Sequence, residues 1–263
     1  MKTRIISALV VLAIFIPLLL IGGNIFNIGI ILISLLGLKE FIDIKGTKKK
    51  LPTLMSLLSF LIMVVLLVNN IYSNKLNLFL DYRLLSGVFI CFLLPTVLYQ
   101  DKEKYSINDA FYLIGGVLFL SVSFSLMMVI RNTSLYLIVY LFLITISTDT
   151  FAYFTGKLIG KHKLIESISP NKTVEGLIGG TIFGTVIPTI FYCLVVSQGV
   201  SIVKIVLITL FLSILGQFGD LVFSNIKRYY GKKDFSNIMP GHGGVLDRLD
   251  SIIFVVLGFI YFI

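Results

Sequence analysis

The sequence predicts an all-α fold, a polytopic transmembrane helix bundle with about nine spans and a cytoplasmic N-terminus. Three observations predict this fold class. The 263 residues have a mean hydropathy of +1.01 and only 13% charged residues, whereas soluble domains carry about 25%. Apolar runs long enough to cross a bilayer, roughly 17–25 residues, recur along the chain. The Lys and Arg residues gather in alternate connecting segments, as the positive-inside rule expects.

The apolar runs define nine candidate spans, since helices satisfy their own backbone groups in lipid. They cover residues 4–21, 24–38, 52–70, 84–99, 109–130, 134–156, 174–197, 201–223 and 250–263. The first run follows a basic start but lacks a small-residue cleavage site, so we interpret it as an uncleaved helix. The second, fourth and ninth runs are short, which leaves eight spans as an alternative.

The polar residues divide the chain unevenly. Residues 1–130 are predicted to be N-terminal transmembrane helices, and residues 131–263 to be a transmembrane region that carries the polar chemistry. Cytoplasmic loops are expected at 157–173 and 224–249. We expect both parts to act as one integrated unit.

The distribution of positive charge supports this topology. With nine spans and the N-terminus inside, only four of the 22 Lys and Arg residues fall on the outer side, namely Lys75, Arg83, Arg131 and Lys204. The protein is therefore expected in a cell membrane, with the bacterial cytoplasmic membrane as the natural location. The net charge of +9 has two open explanations. It reflects membrane topology alone, or it attracts anionic lipid headgroups or a polyanionic substrate. No nucleic-acid partner is expected.

Two acidic residues stand at the cytoplasmic ends of apolar runs. Asp149 and Asp220 would each cost about 2.5–3.5 kcal/mol at a helix centre, and less near the interface, so a functional role is the first hypothesis. Pairing with a nearby Lys or Arg is the purely structural alternative. The remaining acids of the first half are expected in loops as solvated residues: Glu40, Asp43, Asp81, Asp101, Glu103 and Asp109.

Two further acids precede the last span. Asp247 and Asp250 are three residues apart, so they share a face if this segment is helical. A loop of about 25 residues joins them to Asp220 and allows the three carboxylates to meet. Mg²⁺ prefers one or two carboxylates together with substrate phosphates, and nearby cations would hold the other phosphate oxygens. The pattern favours phosphoryl or nucleotidyl transfer at the cytoplasmic face.

The segment PGHGG at 240–244 adds a glycine-rich turn. Gly243 and Gly244 allow the backbone to approach a ligand and to adopt positive φ, and amide groups at such a turn bind anions. His242 could be a metal ligand, a phosphate hydrogen-bond donor or a general base, or it could serve only the turn.

A second polar cluster, SPNKT at 169–173, precedes the seventh span. Ser169 and Thr173 lie near a helix start, and Thr173 is a candidate N-cap. Lys172 would then lie at the positive end of a helix, which is unfavourable unless an anion joins it. The following GLIGG (176–180) is typical of close helix packing through small residues.

The stretch SNIKRYYGKKDFSNIMPGHGGVLDRLD (224–250) resembles the signature of the phosphatidate cytidylyltransferase family, also called CDP-diglyceride synthetases. The matching positions are Ser224, Lys227, Arg228, Lys233, Asp234, Ser236, Pro240, His242, Gly243, Gly244, Asp247, Arg248 and Asp250. Residues 149–176 also resemble the family, beginning with Asp149 and including Ser169, Lys172 and Thr173. The resemblance covers roughly residues 149–251, whereas the first half is similar only in being hydrophobic helices.

The resemblance implies that CTP and phosphatidic acid react to give CDP-diacylglycerol and pyrophosphate, at a cytoplasm-facing site in a protein that forms a homodimer. Mg²⁺ is the implied cofactor, and a second cation is left open. The implied metal-binding residues are Asp220 and Asp247, with Asp149 and Asp250 as further candidates, although Asp250 could instead pair with Arg248. The implied catalytic residues are Lys227, Arg228, Asp234 and His242. The implied substrate-binding residues are Ser169, Lys172, Thr173, Lys233, Gly243, Gly244 and Arg248.

Other functions fit part of the pattern. Intramembrane acids beside broken helices also occur in ion-coupled transporters, but here the acids gather at one face and no inverted repeat is visible. A cytidylyltransferase acting on another lipid phosphate, with an ether-linked or polyprenyl acceptor, would have a similar headgroup site. A membrane scaffold would not need the HGGVLDRLD segment.

Overall fold

The computed structural model describes residues 2–72, 81–99, 101–196, 199–241 and 243–262, and these residues are mostly helical. The predicted all-α class is therefore confirmed. Two residues of the predictions above, His242 and Lys75, lie outside the described part of the chain.

The helices follow one another with short connections. They are α1 (Lys2–Ile21), α2 (Gly23–Gly46), α3 (Thr53–Tyr72), α4 (Tyr82–Leu93), α5 (Pro95–Leu98), α6 (Ile107–Thr133), α7 (Leu135–Ile159), α8 (Val174–Phe191), α9 (Ile202–Tyr229) and α10 (Leu246–Phe259). A π-helical turn, Tyr192–Val196, continues α8, and a 3₁₀ turn, Ile260–Phe262, follows α10.

Several helices suit a membrane-spanning protein. In the described ranges, five are long and apolar enough to cross a bilayer: Gly23–Gly46, Ile107–Thr133, Leu135–Ile159, Val174–Val196 and Ile202–Tyr229. Shorter apolar helices cover Leu9–Ile21, Thr53–Asn69 and Tyr82–Leu98. The chain is thus a membrane protein by length and composition, while the count of nine spans stays a prediction.

The chain forms two compact units. The first contains Met1–Val129 and Asp234–Leu246, and the second contains Ile130–Lys233 and Asp247–Ile263. The glycine-rich segment thus belongs to the first unit, although it lies far along the sequence. The integration of the parts before and after residue 130 into one functional unit stays a prediction.

Three helices extend beyond the predicted spans by four residues or more. α2 continues to Gly46 and α9 to Tyr229, and α10 already begins at Leu246. Lys227 and Arg228 therefore lie on a helix and not in a loop. Lys, Arg and Glu are good helix formers, so their polarity ends the apolar pattern without ending the helix. α9 ends only just before Gly231, which adopts a φ of 67°.

Two acids of the first unit are buried, which corrects the expectation that they are solvated. Asp109 is 2% exposed, and its carboxylate pairs with Lys45 Nζ at 2.7 Å and with Lys49 Nζ at 2.6 Å. It also accepts hydrogen bonds from the Ser106 N–H and hydroxyl. Glu40 is 1% exposed. Buried carboxylates are stable only when charges or donors offset their desolvation, and both residues meet this condition.

A short β-hairpin interrupts the helical pattern of the second unit. Strand β1 (Lys163–Ile165) pairs antiparallel with strand β2 (Ser169–Thr173). The Glu175 carboxylate accepts hydrogen bonds from the N–H groups of Lys161 and His162, which ties the hairpin to the start of α8. The sequence predicts this segment only as a loop, because three- to five-residue strands leave little periodicity to detect.

Small residues bring α7 and α8 into close contact, as the GLIGG pattern predicts. A Cβ atom at Gly176 would lie 2.8 Å from the carbonyl oxygen of Ala152, and one at Gly180 would lie 2.8 Å from that of Thr148. Polar contacts join α9 to the same pair, because Ser213 lies 2.9 Å from Thr148 Oγ1 and Gln217 donates to Thr181 Oγ1 at 2.9 Å. The helices that carry Asp149 and Asp220 are thus held together without bulky side chains.

We expect Gly180→Ala to lower the free energy of unfolding by about 1–3 kcal/mol, because the added methyl group overpacks a tight contact. Gly115→Ala on α6 is the matched control, since a Cβ atom there meets nothing within 4 Å. Thermal unfolding of both variants in detergent tests this expectation. Equal melting temperatures for the two variants would contradict the packing described here.

Candidate active site

Polar residues recur along one side of α9 near its C-terminal end. Asp220, Ser224 and Lys227 are spaced four and three residues apart, so they share one face of the helix. Ser224 Oγ donates a hydrogen bond to Asp220 Oδ1 at 3.2 Å, and both Ser224 and Lys227 are buried. α9 therefore presents an acid, a hydroxyl and a cation in a row.

Lys172 at the end of β2 pairs with the acid of this row. Its Nζ atom lies 2.6 Å from Asp220 Oδ2, with the two side chains 29% and 27% exposed. Thr173 caps α8, because its hydroxyl accepts the N–H of Gly176 at 3.1 Å. The predicted N-cap is thus confirmed, and the anion needed beside Lys172 is the Asp220 carboxylate. The pair remains accessible to a ligand from solvent.

The cation of α9 forms a second and more buried pair. Lys227 Nζ lies 2.7 Å from Asp247 Oδ1, and the two side chains are only 8% and 3% exposed. Asp247 lies in the first turn of α10, where the helix dipole favours a negative charge. The contact fixes the start of α10 against α9.

Three carboxylates of the second unit lie near one another. Asp149 of α7 and Asp250 of α10 interact electrostatically with Asp220 and with each other. Lys172 and Arg248 provide attraction to Asp149, and Lys227 provides it to Asp250. We call Asp149, Asp220, Asp247 and Asp250 the acidic cluster. The structure thus brings together Asp149, Asp220 and Asp250, three of the four residues that the sequence predicts as metal ligands. Asp247 joins this group through its pair with Lys227.

The second unit also contains four other residues that the sequence predicts for the site. Arg228 is exposed, and its guanidinium donates to the carbonyl oxygens of Ile168 at 3.2 Å and Lys232 at 2.8 Å. It therefore ties the hairpin loop to the end of α9. Ser169 begins β2 and is half-buried, while Lys233 and Arg248 are exposed.

The first unit holds the other predicted residues. Asp234 is exposed, and Gly243 and Gly244 are buried. Gly243 adopts a φ of 83°, a conformation that favours glycine, and its carbonyl oxygen accepts the N–H of Met239 at 3.0 Å. A Cβ atom at Gly244 would lie 2.5 Å from Glu40 Oε1, so this glycine is needed for contact with a protein side chain. Its predicted contact with substrate stays a prediction.

Sequence reasoning missed Glu40 as a residue of interest. The apolar pattern ends at residue 38, so Glu40 was expected in a loop. A signal was present, however, because Glu40 lies three residues after Gly37 and continues the same helix face. The partners of Glu40 lie about 200 residues later in the chain, and no local pattern reports such a contact.

The acidic cluster has the donor chemistry for a hard divalent cation. Mg²⁺ takes oxygen ligands and commonly uses one or two carboxylates, with phosphates and water completing its shell. Within the described ranges, no group of three or more His, Cys, Asp or Glu side chains is arranged to hold a metal by itself. A cation beside Asp149, Asp220 and Asp250 would therefore need substrate phosphates or water to complete its shell.

The arrangement combines carboxylates with cations at the end of apolar helices. Lys172 is accessible and pairs with an acid, so it can exchange that partner for a phosphate or share it. Lys and Arg groups neutralise phosphate charge, Lys as a point charge and Arg as a bidentate donor. Such a site is suited to bringing two polyanions together near a membrane surface.

Comparison with known proteins identifies the family that the sequence motifs resemble, and the similarity covers nearly the whole chain. The profile of the cytidylyltransferase family matches residues 2–263. The phosphatidate cytidylyltransferase of Staphylococcus haemolyticus (strain JCSC1435) is 37% identical over 256 residues, which covers 97% of this chain and 96% of that protein. The enzymes of the same name from Staphylococcus saprophyticus (strain ATCC 15305) and Staphylococcus aureus (strain COL) are each 36% identical over the same shares of the two chains. The chain therefore belongs to the cytidylyltransferase family.

Proposed function

We propose that this protein is a phosphatidate cytidylyltransferase, which converts CTP and phosphatidic acid to CDP-diacylglycerol and pyrophosphate in phospholipid biosynthesis. The observation that carries the proposal is the acidic cluster with its paired cations, Lys172 and Lys227, at the ends of apolar helices. Relatives of this name cover nearly the whole chain and support the same activity.

The reaction needs charge neutralisation and positioning more than a protein nucleophile. A phosphate oxygen of phosphatidic acid attacks the α-phosphorus of CTP in line, and the bond to the departing pyrophosphate breaks. Because the attacking oxygen is already anionic, no covalent enzyme intermediate is required. Lys172 would neutralise a phosphate, and Lys233 and Arg228 are further candidates. Lys227 would act chiefly by holding Asp247.

We propose Mg²⁺ as the cofactor, held by Asp220 with Asp149 and Asp250. When bound, the ion would neutralise charge on the reacting phosphates. Asp247 is a ligand candidate by the same carboxylate chemistry, but its pairing with Lys227 assigns it first to the framework of the site. The predicted roles of Asp234, Ser169, Thr173, Arg248 and His242 rest on the family resemblance.

We further propose nine spans, with the N-terminus and the site facing the cytoplasm of a bacterial cell. The concentration of Lys and Arg on that side supports the orientation. Phosphatidic acid would then be held by its acyl chains in the inner leaflet, where its headgroup meets water-soluble CTP. The homodimer implied by the family resemblance stays a prediction.

An assay with purified protein in detergent tests the proposed function. Radiolabelled CTP, Mg²⁺ and phosphatidic acid are expected to yield label in chloroform-soluble material, with release of pyrophosphate. Parallel reactions with an ether-linked phosphatidic acid and a polyprenyl phosphate identify the acceptor class. No lipid-soluble label with any acceptor, from protein that is folded and binds CTP, would refute the proposal.

A further inference from the structure

Glu40 is a buried acid of α2 to which the proposed chemistry gives no role. Both of its carboxylate oxygens accept hydrogen bonds from residues just before α10 and at its start. The Ser236 hydroxyl donates to Oε1 at 2.5 Å, and the N–H groups of Val245 and Leu246 donate to Oε1 and Oε2 at 2.8 Å each. The Ser236 hydroxyl also accepts the N–H of Ile238 at 3.2 Å, so the carboxylate contacts a local turn at Ser236 as well as the start of α10.

The hydrogen bonds from Val245 and Leu246 make Glu40 a cap supplied from another helix. The first N–H groups of any helix lack intrahelical partners and are usually met by a Ser, Thr, Asp or Asn just before the helix. α10 begins at Leu246, and the residues before it, Gly244 and Val245, have no side-chain oxygen. The Glu40 carboxylate takes that role, and its charge also suits the positive end of the helix.

The segment Gly244–Leu246 packs closely against the Glu40 carboxylate and the turn of α2 that carries it. A Cβ atom at Gly244 would lie 2.5 Å from Glu40 Oε1, and one at Gly37 would lie 3.0 Å from Leu246 Cδ2. Leu246 is fully buried. One turn of α2, from Gly37 to Glu40, is thus fitted to the segment Gly244–Leu246 by both shape and hydrogen bonding.

We propose that Glu40 is a positioning residue for the transferase reaction. It holds Ser236, Val245 and Leu246 in place through hydrogen bonds, and Asp247 follows Leu246 directly in the chain. This inference rests on the proposed function, because it gives the held segment a catalytic purpose. It extends that function to a residue outside the motifs of residues 149–251 that the sequence analysis singled out.

The first test is the Glu40→Gln variant, which keeps the shape of the side chain but replaces one acceptor oxygen with a donor. We expect kcat to fall about 10- to 100-fold, since small displacements of positioned groups have effects of this size. The KM values for CTP and phosphatidic acid should change less than about threefold. Glu103→Gln, an exposed acid of the same unit, is the control and should behave as wild type.

The second test uses the contact between Glu40 and Gly244. Gly244→Ala alone should reduce kcat, because its methyl group collides with the carboxylate. Combining it with Glu40→Asp, which shortens the side chain by one methylene group, should restore kcat at least about fivefold relative to Gly244→Ala. Coupling of this kind is expected only for residues in contact. Independent, multiplicative losses would overturn the proposal.

Hydrogen exchange provides a readout that does not depend on activity. In the Glu40→Gln variant, peptides covering residues 236–246 should exchange at least about tenfold faster, while peptides from α7 and α8 stay unchanged. Unchanged exchange together with wild-type kcat would overturn the positioning role. If the wild-type protein makes no CDP-diacylglycerol, the proposed function fails, and the exchange result still reports on the contact itself.

Discussion

Replacing Asp220 with Asn is expected to lower kcat/KM for CDP-diacylglycerol formation at least about 100-fold. Asp220 lies in the acidic cluster and accepts the Lys172 ammonium at 2.6 Å. Asparagine keeps the size of the side chain but removes the charge that would bind Mg²⁺ and orient Lys172. Loss of a single electrostatic group in an active site commonly costs 10²–10³ in rate. The measurement is lipid-soluble label from CTP at several concentrations of both substrates.

Stability should change little in the same variant. The Lys172–Asp220 pair is partly exposed, and such pairs contribute only about 0–1 kcal/mol to folding. The Asp220→Asn protein should therefore insert and unfold much as the wild type does. Asp43→Asn, at an exposed position of α2, controls for loss of an acid elsewhere. Full activity of Asp220→Asn would remove this residue from the proposed metal site.

The Lys227→Met variant is expected to lose about 3–5 kcal/mol of unfolding free energy, and also its activity. Lys227 and Asp247 form a pair whose side chains are 8% and 3% exposed. Removing one partner leaves an uncompensated charge in a buried position, which is far more costly than losing an exposed pair. Denaturation in detergent measures the stability, and CTP incorporation measures the activity.

A double variant separates the structural and chemical parts of this effect. Lys227→Met combined with Asp247→Asn removes both charges, so most of the lost stability should return. Activity should not return, because α10 is then no longer held to α9 by the ion pair. A double variant as unstable as Lys227→Met would contradict the compensation argument. An active double variant would show that neither charge serves the reaction.

The sequence predicts the fold class and the positions of several acids on helices, because these features have local causes. Asp149 and Asp220 stand out as charges beside apolar runs, and the spacing of Asp247 and Asp250 predicts a shared helix face. The Thr173 cap is also a local feature, since its partner lies three residues away. Each of these predictions depends on a pattern within one helix or turn.

Features that depend on distant partners could not be predicted. The sequence predicts Asp109 to be a solvated loop residue, because the two lysines that pair with it, Lys45 and Lys49, lie about 60 residues earlier. Helix ends were placed too early in α2 and α9, since hydropathy falls where polar residues begin although helical hydrogen bonding continues. The pair of Lys172 and Asp220 is another such feature, because it joins the β-hairpin to α9 and the whole of α8 lies between them in the sequence.

The hydrogen bond from the Val245 N–H to the Glu40 carboxylate also constrains the order in which the protein folds during synthesis. The two residues are separated by 205 positions, so the ribosome completes α2 long before the donors for its acid exist. Until residues 236–246 have been made, the Glu40 carboxylate lacks these donors, so this part of α2 can reach its final packing only after Leu246 has been synthesised. Folding of the first unit is therefore completed late, because it needs residues from both ends of the sequence.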